Sequence, residues 1–487
     1  MNMNRPKPVF KHTARMLIAV VLVGCTAFVA NCNKGDKKEP NPPPAQGTVE
    51  QWITKNDQSA LLQKQSTLLA FTTTANGNGS IEVNESTTFQ PVEGFGYTLT
   101  GGSAHLLNGM SVAERAKVLQ ELFGTGENSI GISYLRLSLG ASDLSTTVFS
   151  YCDLPAGQTD PGLTKFSLAA DTVHLIPVLK EILAINPNIK LMASPWSAPT
   201  WMKTNGSSIG GSLLPAFYAS YGQYFVKYIQ AMKAKGISID AVTVQNEPQH
   251  GGNNPSMVMT AVEQTEFVKN HLGPAFRNAG INTKIIIWDH NCDNPNYPIS
   301  ILNDAAAKQF VAGSAFHLYA GDITALSTVR TAHPDKDLYF TEQWTGSKGS
   351  FDGDFAWHIK NVIIGSVNNW ARVALEWNLA NDPFYGPHTP GGCTECKGAL
   401  TINGGAYTRN VSYYIIAQVA KFVPPGSVRI ACNSSGNLPA TAFKTPAGKK
   451  VLLVQNETGG AVTFNIKHDG KWAVAQMPVG STATYVW

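Results

Sequence analysis

Short apolar runs rich in β-branched and aromatic residues recur along the chain. Stretches with apolar residues at three- and four-residue spacing lie between them. The runs fall at 94–99, 132–139, 189–194, 239–245, 284–288, 313–318, 337–341 and 371–376. Several are almost continuously hydrophobic, as parallel strands covered on both faces must be. Among the helical stretches are 112–122, 172–184 and 217–235. In the last, Tyr218, Tyr221, Phe225, Tyr228, Ile229 and Met232 share one face. Eight strand–helix alternations predict an α/β fold, a (β/α)8 TIM barrel, over 94–425. A doubly wound open sheet usually carries a Gly-rich phosphate loop after its first strand. GFGYTLTGG here lacks the third Gly of that motif.

The flanking patterns have period two. Residues 66–93 alternate polar and apolar positions, and so do 441–444, 450–455, 462–466, 472–476 and 482–486, separated by turn signals. No helical pattern interrupts them. They predict an all-β sandwich built from the N-terminal strands (66–93) and the C-terminal segment 426–487.

The formal net charge is +4. Residues 1–31 hold Arg5, Lys7, Lys11 and Arg15 and no acid, which leaves 33 of the 37 basic residues against 33 acidic ones. No electrostatic footprint for nucleic acid remains. Residues 16–30 form an apolar run of about 15 residues, short of the ~20 a spanning helix needs. A basic start followed by a short apolar run predicts a signal peptide over 1–31. Cys32 ends the run and a polar, Pro-rich segment follows, so Cys32 is the expected lipid attachment point, with Cys25 as the alternative. This predicts an exported, membrane-anchored bacterial lipoprotein. Its tether spans 32–65, and its contact with the membrane is through the lipid alone. Cys152, Cys292, Cys393, Cys396 and Cys432 remain, an odd number. Cys393-Thr394-Glu395-Cys396, in a Gly/Pro-rich loop, reads as a local disulfide or two free thiols rather than a metal site.

Active sites of such barrels lie at the C-terminal ends of the strands. Those ends carry Arg136 and Asp143, Trp196, Asn246 and Glu247, Asp289 and His290, His317 and Tyr319, Glu342 and Trp344, and Glu376 and Trp377. Carboxylates, amides and tryptophans at one mouth describe a sugar site, because aromatic faces stack on pyranose C–H groups and polar side chains bind hydroxyls. Glu247 and Glu342 end the fourth and seventh strands on facing sides. Two carboxylates flanking a glycosidic bond are the equipment for its hydrolysis. No metal or other cofactor is called for.

The stretches GFGYTLTGGSA, YLRLSLGASDLS, ASPWSAPTWMKTNGS, AVTVQNEP, FHLY, FTEQWTGS and EWNLANDP resemble glycoside hydrolase family 30, the group that contains glucosylceramidase and microbial β-1,6-glucanases. The resemblance runs from residue 90 to about 430 and extends into the sandwich. It implies a retaining β-glycosidase with Glu247 as acid/base and Glu342 as nucleophile. Asp143, Trp196, Asn246 and Trp377 would line the glucose pocket. His317 and Tyr319 would bind there and, with Arg136, support the two glutamates. Retention requires the carboxyl groups ~5–5.5 Å apart, and the two roles require pKa values pushed apart, with Glu247 the protonated partner. One departure stands out. The glucosylceramidases carry Asp after the Thr of the first-strand motif, and this chain has Gly101 after Thr100. The expected partner is a β-linked oligo- or polysaccharide or glycoconjugate, with β-1,6-glucan favoured and β-xyloside as the alternative.

Other readings are weaker. Residues 206–210 match G-x-S-x-G, but no strand precedes them, as a nucleophile elbow requires. Asp289, His290 and Asp293 have no metal-site spacing and predict a hydrogen-bonded cluster at the barrel mouth. His250 falls in a Gly/Asn loop. A non-catalytic glycan-binding lipoprotein would be expected to have lost one glutamate, and both are present.

Overall fold

The computed structural model describes residues 47–487. The segment 1–31, Cys25, Cys32 and the first part of the tether lie outside the described residues. Eight parallel strands close into a barrel. They are β1 (Gly94–Leu99), β2 (Tyr134–Ser138), β3 (Lys190–Ser194), β4 (Ala241–Thr243), β5 (Lys284–Cys292), β6 (Val311–Gly321), β7 (Asp337–Glu342) and β8 (Ala371–Asn378). Helices follow each strand and cover the outside. The first, Gly101–Gly109, is capped by Thr100, whose side chain accepts from the Ser103 N–H. The helix at Ala261–Phe267 starts with a Thr260–Glu263 capping box.

Alternation along the strands divides the side chains. Leu135, Leu137, Val242, Ile285 and Phe340 pack outward under the helices. Tyr134, Met192, Ala241, Ile286, Ala315, Tyr339, Val373 and Leu375 fill the interior as an apolar plug. The inward positions nearer the C-terminal ends turn polar: Arg136, Ser194, Thr243, His317 and Thr341, all buried. β5 breaks its own alternation. Ile286 faces in, so Trp288 should as well, yet Trp288 packs outward. A register shift lies between Trp288 and His290 opposite β6, and Trp288 and Asp289 have φ of 72° and 68°. The extra residue is a bulge, and it turns Asp289 into the barrel.

The sandwich surrounds a second core that includes Val49, Ile53, Ile81, Val83, Leu452, Val454, Phe464 and Tyr485. The segment 32–65, expected to be a tether, is in part structural. Thr48–Lys55 is a strand paired antiparallel with Ser481–Val486. Its burial alternates over Val49, Gln51 and Ile53, a period-two signal hidden because the buried Gln51 is polar and the intervening Trp52 is apolar. The sandwich is fastened to the barrel by hydrogen bonds from the Gln418 side chain to Thr482 O (3.0 Å) and from the Gln90 side chain to Val367 O (2.6 Å). Among the described residues no helix is long and apolar enough to cross a membrane.

Candidate active site

The strand ends meet around a cavity of about 180 Å³ lined by Asp143, Trp196, Glu247, Asn253, Tyr319, Glu342, Trp344, Trp377 and the Cys393–Cys396 disulfide. This is below the ~300 Å³ floor of sites for drug-sized ligands and has room for one sugar ring. A larger cavity, about 670 Å³, opens at the other end of the barrel. Both of its carboxylates are paired, Asp240 with Lys190 (2.7 Å) and Glu93 with Lys284 (2.6 Å), and among the described residues no aromatic ring lines it, so it lacks the equipment of a sugar site.

A carboxylate oxygen of Glu247, a ring nitrogen of His317 and a carboxylate oxygen of Glu342 lie within 4.8 Å of one another. That closeness agrees with the ~5–5.5 Å carboxyl separation of a retaining pair and falls short of the ~6.5–9.5 Å of an inverting one. Glu247 has a φ of 45°, a left-handed conformation that few non-glycine residues adopt. Its N–H donates to Asp289 O (3.0 Å) and its carbonyl accepts from the His250 N–H (2.8 Å), which holds the turn.

Arg136 joins the site together. Its Nε donates to Ser194 Oγ (3.0 Å), Nη1 to Glu342 Oε2, and Nη2 to Asn246 Oδ1 (2.6 Å) and Asp289 Oδ2 (2.8 Å). Its guanidinium lies 4.8 Å from the Trp196 ring centre and 5.8 Å from that of Trp377. Asp289 also accepts from Thr243 Oγ1 (2.8 Å), Ser194 Oγ (3.1 Å) and Thr341 Oγ1 (2.7 Å), with His317 Nε2 at 3.2 Å. The Tyr319 hydroxyl donates to Glu342 Oε1 (2.9 Å), and Asn253 Nδ2 donates to Glu247 Oε2 (3.3 Å).

Charges oppose one another throughout. Burial works against the cation of Arg136, but Asp289 and Glu342 hold it. Burial works against the anion of Asp289, but Arg136 and His317 keep its carboxyl well below the usual range. Burial also disfavours a charged His317, yet Glu342, Asp289 and Glu247 push it up to about 9. Burial raises Glu342, against His317 and Arg136. Glu247 is lowered despite its burial, chiefly by His317. This order is the reverse of the expected one, and the cause is the imidazolium. His317 Nδ1 stands 3.4 Å from Glu247 and 3.8 Å from Glu342, nearer the intended acid. Glu342 is nonetheless arranged as an anion, since both its oxygens accept, from Arg136 and from Tyr319. Glu247 gains a reason to hold a proton when a glycosidic oxygen arrives to accept it. Burial, with the charges of Glu342 and Glu247, pushes Asp143 up to about 7.

The trio of Glu247, His317 and Glu342 also has the proximity of a metal site. With a proton on each ring nitrogen, His317 has no lone pair to give, which favours the hydrogen-bonding role. His317 was expected in the sugar pocket, but it is fully buried behind the glutamates and does not line the cavity. It supports rather than binds. Asn246 spends its Oδ1 on Arg136. Asp143, Trp196, Tyr319 and Trp377 line the cavity as expected. Gly101 opens a helix, and a Cβ there would stand 3.0 Å from Ser145 Oγ; the pocket's carboxylate comes from Asp143. His250 is exposed, and residues 206–210 form a loop. His290 Nδ1 accepts from the Gln249 N–H. Asn253 and the disulfide are additions. Nothing in a lone loop Asn announced the first, and the C-x-x-C spacing announced a bond without its location.

Asp289 should be the most costly of the supporting residues to remove. Asp289→Ala would leave buried Arg136 with Glu342 as its one carboxylate partner, and would also take an acceptor from the buried hydroxyls of Ser194, Thr243 and Thr341 and from one ring nitrogen of His317. It is expected to cost about 3–5 kcal/mol in urea unfolding at neutral pH. Its folded pKa lies below the unfolded value of ~3.9, so this contribution is present above about pH 4 and fades as pH falls further. An unchanged unfolding midpoint at pH 7 would contradict this role.

The family model of the glycosyl hydrolase family 30 TIM-barrel domain matches residues 92–423, and that of the family 30 β-sandwich domain matches 426–485. The chain is 35% identical over 427 residues to endo-1,6-beta-D-glucanase neg1 of Aspergillus fumigatus, covering 82% of this chain and 85% of that protein. It is 28% identical over 498 residues to mouse (Mus musculus) lysosomal acid glucosylceramidase, covering 95% and 94%. The solved endo-beta1,6-glucanase BT3312 superposes with a TM-score of 0.84 at 35% identity, covering 91% of this chain and 99% of that one.

Proposed function

The chain belongs to glycosyl hydrolase family 30 and is a retaining hydrolase of β-linked glucosides; from that premise we propose that it cuts β-1,6-glucan at internal bonds. The observation that carries the linkage is the 35% identity, over most of both chains, to proteins named as endo-1,6-β-glucanases, against 28% to the glucosylceramidase. Chemistry supports it. A β-1,6 bond leaves the ring through exocyclic C6, whose extra torsion lets a chain turn out of a pocket that holds one ring. In this reading Glu247 donates its proton to the glycosidic oxygen while Glu342 attacks C1. The C1–O bond breaks, the aglycone leaves as an alcohol and a glycosyl ester forms on Glu342. Glu247, now the base, takes a proton from water, whose oxygen displaces Glu342 with overall retention. Asp143 and the Trp196–Trp377 pair, with ring centres 5.4 Å apart, bind the sugar.

Products from linear β-1,6-, β-1,3- and β-1,4-glucans, an aryl β-xyloside and glucosylceramide test this. A ladder of β-1,6-oligosaccharides is expected from the first substrate alone. Release of glucose only would overturn internal cleavage, and preference for the xyloside or the glycolipid would overturn the linkage. We also propose export and lipid attachment at Cys32, on the basic start, apolar run and polar tether that surround it. Mass spectrometry should find an acylated Cys32 at the mature terminus. An unmodified terminus further along would overturn the anchor.

A further inference from the structure

The disulfide is placed where a purely local staple has no reason to be. Cys396 is buried in a cluster with Leu144, Trp196 and Trp377, and Cys393 packs on it. Both line the sugar cavity. The loop that carries them is tied at two ends. At one end the Thr389 N–H donates to Asp143 O (2.9 Å), and Gly392 passes so close that a Cβ would stand 2.3 Å from the same oxygen. At the other end Cys396–Lys397 pairs antiparallel with Thr345–Gly346, just past Glu342. The Ser347 N–H donates to Glu395 O (2.8 Å) there. Between these ties, the Cys393 N–H donates to Asp143 Oδ2 at 3.4 Å, and the backbone N–H of Cys393 is one of the groups that hold the Asp143 pKa down. Pro390, Gly391 and Gly392 just before it bring no side chain that could hold this N–H in place. The Sγ–Sγ bond does so, because it anchors Cys393 to the buried Cys396.

We propose that the Cys393–Cys396 disulfide is a positioning element of the sugar pocket: it closes one wall beside the two tryptophans and aims the Cys393 N–H at the carboxylate of Asp143. This rests on reading the cavity as the seat of one β-glucosyl ring. The side chains that hold the glutamates are Arg136 and Tyr319 on Glu342 and Asn253 on Glu247, not the disulfide's loop, so its loss weakens binding more than chemistry. Ionised Asp143 is the form that accepts two sugar hydroxyls. Losing an N–H donor leaves its anion less stabilised, so the acid limb of kcat/KM moves to higher pH.

The probe is an aryl β-glucoside, which needs only this pocket. Cys152, Cys292 and Cys432 are free, so among the described residues a dithiol acts on this bond alone. It passes two electrons and two protons to the disulfide, giving two thiols, and is itself oxidised to a cyclic disulfide. Reduction of the folded enzyme, and separately the Cys393→Ser/Cys396→Ser variant, should raise KM roughly tenfold or more, the size of one lost hydrogen bond to a charged group. They should leave kcat within about threefold, since each tenfold in rate is ~1.4 kcal/mol of barrier. The acid limb should shift upward, and reoxidation by a disulfide reagent should restore both values. If KM and the acid limb stay put, or if kcat falls as far as KM rises, the proposal is wrong. Should the double variant fail to fold, reduction and reoxidation of the folded enzyme decide. Activity on the aryl glucoside with none on β-1,6-glucan would sink the linkage and leave this test intact.

Discussion

Glu342→Ala is expected to lower kcat on every β-glucoside by about 10⁶-fold, the scale of loss when a covalent nucleophile is removed. The reason is specific to this carboxylate. Arg136 and Tyr319 each hold one of its oxygens, which fixes the group and favours its anion. Removal of the side chain eliminates the atom that attacks C1. No glycosyl-enzyme can then form, however good the leaving group, so a dinitrophenyl glucoside should be as inert as the glucan. Added azide can enter the vacated space and attack from the same face, giving an α-glycosyl azide by one inversion. The variant should remain folded, because Asp289 still faces Arg136 at 2.8 Å. Burst-phase release of dinitrophenolate by the Glu342 variant would contradict its role.

The barrel was legible because its strands are apolar on both faces and its helices are amphipathic, and both patterns survive tertiary packing. The catalytic mouth followed from topology, since strand ends converge. What the sequence concealed came from three physical sources. The inward turn of Asp289 depends on a bulge, which strict alternation forbids and only φ near 70° at Trp288 and Asp289 reveals. The strand Thr48–Lys55 belongs to the sandwich because its partner, Ser481–Val486, lies more than 400 residues away, beyond any local signal. The depth of His317 depends on how far β6 runs below the mouth. Strand parity gave its inward direction without the layer it occupies. The disulfide joins both kinds, a bond readable from spacing whose location needed the long loop after β8.

Glu247→Ala should divide substrates by their leaving groups. With β-1,6-glucan the departing alkoxide needs a proton, and loss of the acid should cost about 10²–10⁴-fold in kcat/KM. With a dinitrophenyl glucoside the leaving group needs little protonation, so Glu342 still attacks and a burst is expected. Breakdown of the glycosyl-enzyme then stalls, because no base activates water. Azide needs no base. It should restore turnover and yield a β-glycosyl azide, the product of two inversions. The pH profile carries a second readout. In the native enzyme the proton that Glu247 donates is lost as pH rises, and glucan hydrolysis should fall with it. In the variant assayed on the dinitrophenyl glucoside that basic limb should vanish, because protonation is no longer used. The field of His317 lowers Glu247 in the empty pocket and burial raises Glu342, so titration order alone does not assign the roles. The azide products do. A β-azide from the Glu342 variant with an α-azide from the Glu247 variant would exchange the two.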